Sequence, residues 1–265
     1  MSDELLEELL RARRERSACV LTTVAATTGS VPREPGAKML VYGDGKTFGT
    51  IGGGKFESLV VADCIAALRA KKPLLKTYPL HEASPDSFGA ICGGEATVLI
   101  EPQNLNEAIY LVGGGHCASA IAKLATEAGM FVTVLEDRAE RLENLPSSVR
   151  RIHDVTPAEF IRNHTWQGDE ALVMVSRNYE IDRDALAAAV ERTGAGYVGM
   201  IGSARKVRRV FDQLKESGVP PEKLAAVYAP LGFDIGADSP VEIAISALAE
   251  IIAVLRDRSG GHLRS

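Results

Sequence analysis

The sequence predicts an α/β protein in which a mixed α/β domain is followed by a domain with a parallel sheet. Predicted strands and helices alternate after residue 105, and this order is typical of crossovers between parallel strands. A polar segment with one proline and two asparagines, residues 101–106, separates this part from the preceding one. A glycine-rich turn joins the first strand of the second part to its first helix. We therefore predict domains 1–104 and 105–265.

The composition is that of an ordinary globular protein. Of the 265 residues, 46% are hydrophobic and 25% are charged, and the net charge is −5; these values exclude intrinsic disorder and collagen-like structure. Neither half has an excess of basic residues, so we expect no nucleic acid as a partner. The N-terminal segment is charged from residue 3, and the longest uncharged run, 17–32, is too short to span a bilayer. We expect a cytoplasmic protein without a membrane partner.

The hydrophobic pattern predicts the elements of the first domain in order. Four leucines at helical spacing within residues 5–10 indicate an amphipathic helix. The helical pattern of residues 56–70 predicts a second helix. Short apolar segments predict four strands, at residues 18–25, 39–42, 47–51 and 96–102.

The second domain is predicted in the same way. Apolar segments predict five strands, at residues 109–112, 131–135, 151–153, 171–175 and 197–201. The intervening segments predict helices at residues 117–129, 157–163 and 184–191, and one that starts at Ser203. A last helix is indicated by Ser239, Pro240 and Glu242, which form the pattern of a capping box with proline at the first helical position.

The glycine-rich turn of the second domain predicts a site for a nucleotide-like ligand. Gly113, Gly115 and Ala118 fit the pattern G-x-G-x-x-A between a strand and a helix, in which small residues allow a tight turn and the approach of a pyrophosphate. Asp137 follows the next strand, where an acidic residue binds ribose hydroxyls. We expect His116 either to face the ligand or to be an ordinary packed or exposed histidine. The alternative is a glycine turn with a purely structural purpose.

A second group of residues in this domain is suited to an anion. Gly202, Ser203, Arg205 and Lys206 follow a predicted strand and open a helix, so that a capping side chain, two cations and the helix dipole come together. The alternative is a solvated basic helix face, because further arginines follow.

Three loops of the first domain contain the remaining candidate residues. Residues 29–36 form a turn-rich loop with Arg33, and Gly52, Gly53 and Gly54 precede a helix that contains Glu57, an arrangement that suits an anion. Cys92 is followed directly by Gly93 and Gly94, which would leave its thiol accessible. The alternative for Cys92 is an ordinary buried cysteine. The four cysteines have no C-x-x-C spacing, which argues against zinc knuckles and thioredoxin motifs.

Motifs along nearly the whole chain resemble those of the XdhC/CoxI family, the xanthine dehydrogenase accessory factors. In the first domain they are Gly29-Ser-Val-Pro-Arg33, Gly36-Ala-Lys-Met-Leu-Val41, Gly52–Gly54 with Glu57, and Cys92-Gly-Gly94. In the second they are Val112-Gly-Gly-Gly-His116, Tyr197–Lys206, Pro230–Ala237 and Ser239–Ala244. The sequence departs from the family pattern at residues 176–179, where many members have a histidine near the tyrosine.

The resemblance implies a fold and a function. It implies an N-terminal XdhC/CoxI-like domain and a C-terminal Rossmann-like domain. It also implies a homodimeric chaperone without turnover of its own, which binds the molybdenum cofactor as molybdopterin or as its dinucleotide form. Such a chaperone holds the cofactor for sulfuration by a cysteine desulfurase and helps to insert it into a xanthine dehydrogenase-type molybdoenzyme. Cys92 would then contact or shield the metal end of the cofactor.

Two other functions remain open at this point. The second domain could belong to an NAD(P)-dependent oxidoreductase that uses Gly113, Gly115 and Asp137, although no acid/base set for hydride transfer accompanies these residues in the sequence. Alternatively, the Rossmann-like domain could have lost its ligand and serve only as a docking surface.

Overall fold

A computed structural model describes residues 2–80, 93–103, 106–143 and 145–264. The chain divides into two compact units, residues 1–105 and 106–265. The first unit contains an antiparallel sheet and the second a parallel sheet with helices on both faces, which confirms the predicted fold class. Within the described residues, no helix is both long enough and apolar enough to cross a bilayer.

Among its described residues, the first unit is a five-stranded antiparallel sheet with two helices. In chain order the strands are β1 (Cys19–Thr28), β2 (Lys38–Tyr42), β3 (Thr47–Gly49), β4 (Leu74–Pro79) and β5 (Glu95–Gln103). They lie in the order β3-β2-β1-β5-β4. The helices are α1 (Asp3–Arg14) and α2 (Gly54–Ala70).

Alternation along the strands gives this sheet two apolar faces. Side chains of neighbouring strand residues point to opposite faces. On β1, Val20 therefore packs with the α2 residues Phe56 and Val60, whereas Cys19 packs with Leu5 of α1. Each helix covers one face, and the sheet forms the centre of the unit.

The second unit is a five-stranded parallel sheet. Its strands are β6 (Ala108–Val112), β7 (Phe131–Leu135), β8 (Arg150–Ile152), β9 (Glu170–Met174) and β10 (Tyr197–Met200), in the order β10-β9-β6-β7-β8. Its helices are α3 (His116–Glu127), α4 (Pro157–Asn163), α5 (Tyr179–Arg192), α6 (Ala204–Glu216), α7 (Pro221–Ala225) and α8 (Pro240–Leu255), with a short 3₁₀ turn at Ala139–Arg141.

Both faces of the parallel sheet are buried, as the uninterrupted apolar strands require. Ile109 and Leu111 of β6 pack on the side of α3 and α8, while Tyr110 and Val112 pack on the side of α4, α5 and α6. The predicted capping box at the start of α8 is present: the Ser239 hydroxyl accepts from the Glu242 N–H, and the Glu242 carboxylate accepts from the Ser239 N–H. α8 therefore begins where the sequence indicates.

Three elements differ from the prediction among the described residues: β4, α5 and the short helix α7, which has only five residues and was not predicted. β4 was not predicted, because Leu75 and most other residues of this edge strand are exposed and no apolar alternation marks it. α5 begins at Tyr179 rather than at 184, because the Asn178 side chain caps it by accepting from the Glu180 N–H at 2.9 Å. Its first turn is acidic and contributes little to an apolar pattern.

Close backbone packing joins the end of β1 to the start of β5. Gly29 has φ +66°, and a Cβ atom on it would lie 2.9 Å from the Cα atom of Gly94. A Cβ atom on Gly94 would lie within 2.5 Å of the carbonyl oxygens of Thr28 and Ser30, whereas one on Gly93 would contact nothing within 4 Å. The sheet therefore requires glycine at position 94 but leaves position 93 open.

We expect Gly94→Ala to lower the free energy of unfolding of the first unit by about 1–3 kcal/mol, because the added methyl group overlaps two carbonyl oxygens. Gly93→Ala is the matched control and should leave the stability unchanged. Urea denaturation of both variants measures the difference. Equal stability of the two variants would contradict the close approach of the strands at Gly94.

Candidate functional site

The parallel sheet has one position at which successive crossovers leave in opposite directions. β6, the first strand of the unit, lies between β7 and β9, so the chain runs first toward β8 and then returns on the other side of β6 toward β10. In open α/β sheets, ligands bind outside the carboxyl ends of the strands at such a point. The candidate site therefore lies where β6 and β9 end.

Gly113 and Ser176 meet at this point. Gly113 follows β6 with φ +111°, and a Cβ atom there would lie 2.8 Å from the Cα atom of Ser176, which lies just beyond β9. A side chain at position 113 is therefore excluded by both the backbone conformation and the neighbouring chain. The first small position of the motif is required by the fold itself.

The other small positions have different surroundings. Gly115 is the N-cap of α3 and provides no side chain to cap the helix, and a Cβ atom on Gly115 would contact nothing within 4 Å. Ala118 lies on the buried face of α3 and has no exposed surface. The space outside Gly115 is therefore open to a ligand, next to helix N–H groups that can bind an anion.

The two residues inside the motif differ in exposure. His116, the first residue of α3, is exposed at the mouth of the loop. Cys117 packs against the core on the α3 side of the sheet, and burial raises the pKa of its thiol. His116 can reach a ligand, whereas Cys117 is a packing residue.

Glu136, which was not predicted, lies between Asp137 and the glycine loop. Its buried carboxylate accepts from the Gly114 N–H at 2.7 Å and from the Arg138 guanidinium at 2.8 Å. Burial acts to raise the Glu136 pKa, but hydrogen bonds from Arg138, Asp137 and Gly114 outweigh it and lower the pKa to about 2. Asp137 itself is mostly exposed, and its hydrogen bond with Glu136 raises its pKa.

Two clefts open around this segment. The larger, about 670 Å³ in volume, is lined by Gly113, Asp137 and Arg138 together with residues that follow β8 and β9, among them His153, Ser176 and Asn178. The smaller, about 320 Å³, is lined by Gly114, Gly115, His116, Ser119, Glu140 and Arg141. Arg141, also not predicted, adds a cation beside the start of α3.

The second predicted group, at the start of α6, is divided by the structure. The Ser203 hydroxyl caps the helix by accepting from the Lys206 N–H. The Lys206 ammonium donates to Asp182 Oδ2 at 2.5 Å and to the Ser176 carbonyl at 3.0 Å. Arg205 is exposed on another face, beside Arg208 and Arg209 of the same helix. Gly202 packs against the Lys206 side chain, so the two cations do not converge on one point.

The glycine loop of the first unit is held by Glu57. One carboxylate oxygen of Glu57 accepts from the Thr50 hydroxyl at 2.6 Å and from the N–H groups of Ile51 and Gly53 at 3.1 Å each. Burial acts to raise the pKa of Glu57, but these hydrogen bonds together lower it. An internal anion therefore already occupies N–H groups that an external anion would use.

The other predicted residues of the first unit lie around this loop. Gly52, with φ +140°, packs against Pro32, and Pro32 precedes Arg33, which is exposed. Gly53 and Gly54 have positive φ and open space where side chains would lie. The loop 29–36 thus links the Gly52–Gly54 turn to the Gly93–Gly94 segment, which Gly29 contacts.

The predicted metal contact, Cys92, lies outside the described residues. Among the residues that the structure describes, no cluster of three or more histidine, cysteine or acidic side chains could hold a metal ion. Burial raises the pKa of the Cys19 thiol to about 11 and that of Cys64 to about 12.

Glu57→Gln should lower the unfolding free energy of the first unit at neutral pH by about 1–3 kcal/mol, because an amide accepts hydrogen bonds more weakly than a carboxylate. The folded pKa of Glu57 is depressed, so its contribution is present above the unfolded pKa and is lost as the pH falls through the folded pKa. The stability difference between wild type and variant should therefore shrink below about pH 4.3.

Urea denaturation at several pH values between neutral and acid measures this dependence. The exposed residue Glu34 offers the control variant Glu34→Gln, which should follow the wild type throughout. A stability difference for Glu57→Gln that stays constant with pH would rule out a charged carboxylate at the loop.

The sequence matches two family models: the XdhC Rossmann domain over residues 109–251 and the XdhC and CoxI family over residues 12–79. It is 35% identical over 254 residues to "Uncharacterized protein YqeB" of Escherichia coli (strain K12), covering 94% of this chain and 46% of that protein. It is 29% identical over 145 residues to a probable xanthine dehydrogenase subunit from Bacillus subtilis (strain 168), covering 54% of this chain and 42% of that protein. The chain thus spans less than half the length of these relatives.

A solved structure has a similar fold over the whole chain. It is the crystal structure of a protein described as a xanthine dehydrogenase from Bacillus halodurans, with a TM-score of 0.50 and 23% identity, covering 98% of this chain and 97% of that one. At this identity the similarity concerns the fold alone. The family models, which together match most of both units, go further: the chain belongs to the XdhC and CoxI family, and its second unit is the XdhC Rossmann domain.

Proposed function

We propose that this protein binds the molybdenum cofactor, as molybdopterin or as its dinucleotide form, and acts in the maturation of a xanthine dehydrogenase-type molybdoenzyme. Membership of the XdhC and CoxI family supports the link to xanthine dehydrogenase, as does the name of the Bacillus subtilis relative. The protein holds and transfers the cofactor and has no turnover of its own.

The observation that carries the proposal is the open N-terminus of α3, which lies where β6 and β9 end. Molybdopterin bears a phosphate, and its dinucleotide form bears a pyrophosphate. The helix end has no side-chain cap, Gly115 leaves space in front of it, and Arg141 and His116 line the adjoining cleft. Phosphate groups bind at such helix ends through backbone N–H groups and the helix dipole.

The larger cleft would receive the rest of the ligand. It continues from Gly113 to Asp137, His153 and Asn178, which offer hydrogen-bonding groups to a heterocycle or to a ribose. In this proposal Arg205 contributes positive potential at the neighbouring helix start, Ser203 caps that helix, and Lys206 acts through its contacts with the protein. In this proposal Cys92 contacts the metal of the cofactor, and Gly93, where a side chain would meet nothing within 4 Å, leaves room beside it.

The first unit has a more limited role in this proposal. Because Glu57 holds the N–H groups of Ile51 and Gly53, an anion at this loop would compete with an internal carboxylate. The Gly52–Gly54 turn therefore contributes an open surface at Gly53 and Gly54, and Arg33 an exposed cation nearby. The remaining elements of the proposal are a homodimer, a cytoplasmic location and a cysteine desulfurase as a second partner.

An NAD(P)-dependent oxidoreductase is the second candidate function. The strand order around β6 and the small residues at positions 113, 115 and 118 favour a dinucleotide. The loop after β7 argues against this function. The Glu136 carboxylate accepts from the Gly114 N–H. Arg141 also packs against Gly114, and a Cβ atom on Gly114 would lie 3.1 Å from the Cβ atom of Arg141. This loop narrows the approach to Gly114 for any pyrophosphate, that of the dinucleotide form of the molybdenum cofactor included, and leaves the space outside Gly115 for a single phosphate such as that of molybdopterin.

Incubation of the purified protein with molybdopterin and, separately, with NADH tests the proposal. After desalting, the bound fraction is measured by the fluorescence of oxidised pterin or of NADH. Retention of molybdopterin, together with improved activation of a cofactor-free xanthine dehydrogenase-type enzyme, would support the proposed function. Retention of NADH alone would favour the oxidoreductase, and retention of neither would contradict both.

Gly115→Val should reduce molybdopterin retention by about tenfold or more, because the side chain would fill the space in front of the α3 N–H groups. The variant should fold, since the backbone at Gly115 is extended and no protein atom lies within 4 Å of the added Cβ. Gly168→Val is the matched control. A Cβ atom on Gly168 would also contact nothing within 4 Å, but Gly168 precedes β9 and so lies at the amino ends of the strands, away from the glycine loop. Equal retention by the two variants would remove the glycine loop from the site.

Asp137→Ala should weaken binding of the dinucleotide form more than binding of molybdopterin itself. Only the dinucleotide carries a ribose, and a hydrogen bond to a charged group contributes about 1.5–3 kcal/mol. Titration of wild type and variant with both ligands gives the two affinity ratios. Equal ratios would assign Asp137 a structural role through its contact with Glu136.

A further inference from the structure

Both backbone groups of Ser176 are held by one ion pair. Asp182, on the first turns of α5, accepts from the Ser176 N–H with Oδ1 at 3.2 Å. Lys206, on the first turn of α6, donates to the Ser176 carbonyl at 3.0 Å. The two side chains pair with each other at 2.5 Å. A single residue at the end of β9 is thereby tied to two helices.

The ion pair is buried, so its contacts are not exchanged for contacts with water. Asp182 has no exposed surface, and 21% of the Lys206 side chain is exposed. Burial acts to raise the pKa of the Asp182 carboxyl, and the ammonium and the Ser176 N–H provide the hydrogen bonds that a buried carboxylate needs. A buried pair of this kind contributes little net stability compared with apolar side chains. Stability alone therefore does not account for an ion pair at this position.

Ser176 is the residue against which Gly113 packs. The two loops that end β6 and β9 touch at this residue, and both line the larger cleft. On the strand side, the Val175 N–H donates to the Val112 carbonyl and the Gly113 N–H donates to the Leu135 carbonyl. The position of Ser176 therefore sets the wall of the cleft next to the glycine loop.

We propose that the Asp182–Lys206 pair is a positioning device, which fixes Ser176 against Gly113 so that the cleft is preset for its ligand. Lys206 acts through Ser176 and does not contact the ligand itself. The inference rests on the proposed function, since it concerns the same site, and it assigns to Asp182 and Lys206 a role in affinity rather than in folding. A cofactor held for transfer benefits from a preformed cleft, because ordering the site would otherwise weaken binding.

The competing interpretation is that the Lys206 ammonium binds an anionic group of the ligand directly. The geometry favours the positioning role because the ammonium already has two acceptors, one of them a buried carboxylate. A ligand anion would have to draw the ammonium away from Asp182 and leave that buried charge without its cation, which is costly.

The experiment replaces both members of the pair by apolar side chains, in D182V/K206M, because removal of one member alone would leave an unpaired buried charge. The control is E107Q/R256M, which removes an ion pair of the same unit. Arg256 donates to Glu107 at 2.7 Å. Glu107 precedes β6 and so lies at the amino ends of the strands, away from Ser176. Three quantities are measured: the midpoint of thermal unfolding, amide hydrogen exchange in a peptide spanning 173–178, and molybdopterin retention.

We expect D182V/K206M to unfold within a few degrees of the wild type, to exchange the Ser176 amide faster, and to bind molybdopterin about tenfold more weakly or worse. The control should match the wild type in exchange and in retention. Unchanged exchange at Ser176, or faster exchange with undiminished retention, would overturn the inference. If the wild type itself retains no molybdopterin, the proposed function fails and the inference falls with it.

A second variant covers the case in which D182V/K206M does not fold. In D182N/K206M the asparagine has the shape of Asp182 and can still accept from the Ser176 N–H, whereas the hold on the carbonyl is lost. We expect a smaller loss of retention than for the first variant, about threefold or more, with the unfolding midpoint close to that of the wild type. Retention equal to that of the wild type would overturn the inference for this variant as well.

Discussion

Backbone N–H groups in loops need hydrogen-bond acceptors, and this protein supplies many of them from its own carboxylates. Glu57 holds the glycine loop of the first unit, Glu136 the N–H of Gly114, and Asp182 the N–H of Ser176. Glycine provides no side chain that could serve this purpose, so a glycine-rich loop depends on partners from elsewhere in the chain. These carboxylates define the shapes of the loops before any ligand binds.

This constraint distinguishes loops that sequence motifs treat alike. Both glycine-rich segments precede a helix, and both were predicted to suit an anion. In the first unit the carboxylate lies on the helix itself, one turn after the glycines, and takes up the N–H groups at the loop. In the second unit Glu136 follows the neighbouring strand β7 and accepts from the N–H of Gly114, which leaves the N–H groups at the start of α3 available to a negative charge.

The sequence predicted the architecture of the second unit well because its elements have strong local signals. Apolar strands, helix periodicity and the capping box of Ser239 and Glu242 all act over a few residues. The exposed edge strand β4 lacks such a signal. The roles of the two acidic residues after β7 could not be predicted from the local sequence pattern either. Glu136 and Asp137 are adjacent, and the direction in which the chain leaves β7 decides that Glu136 is buried and Asp137 exposed. From the sequence, Lys206 was predicted to be a cation available to a ligand, whereas in the fold it is paired with Asp182.

The burial of the described cysteines has a practical consequence for the chemistry of this protein. The thiols of Cys19, Cys64 and Cys117 all have raised pKa values because they are removed from water, and it is the thiolate that reacts with alkylating agents. We therefore expect these three thiols to react with alkylating agents more slowly than an exposed cysteine as long as the protein stays folded. Rapid labelling of the native chain would therefore report on Cys92, without the need to replace the other cysteines first.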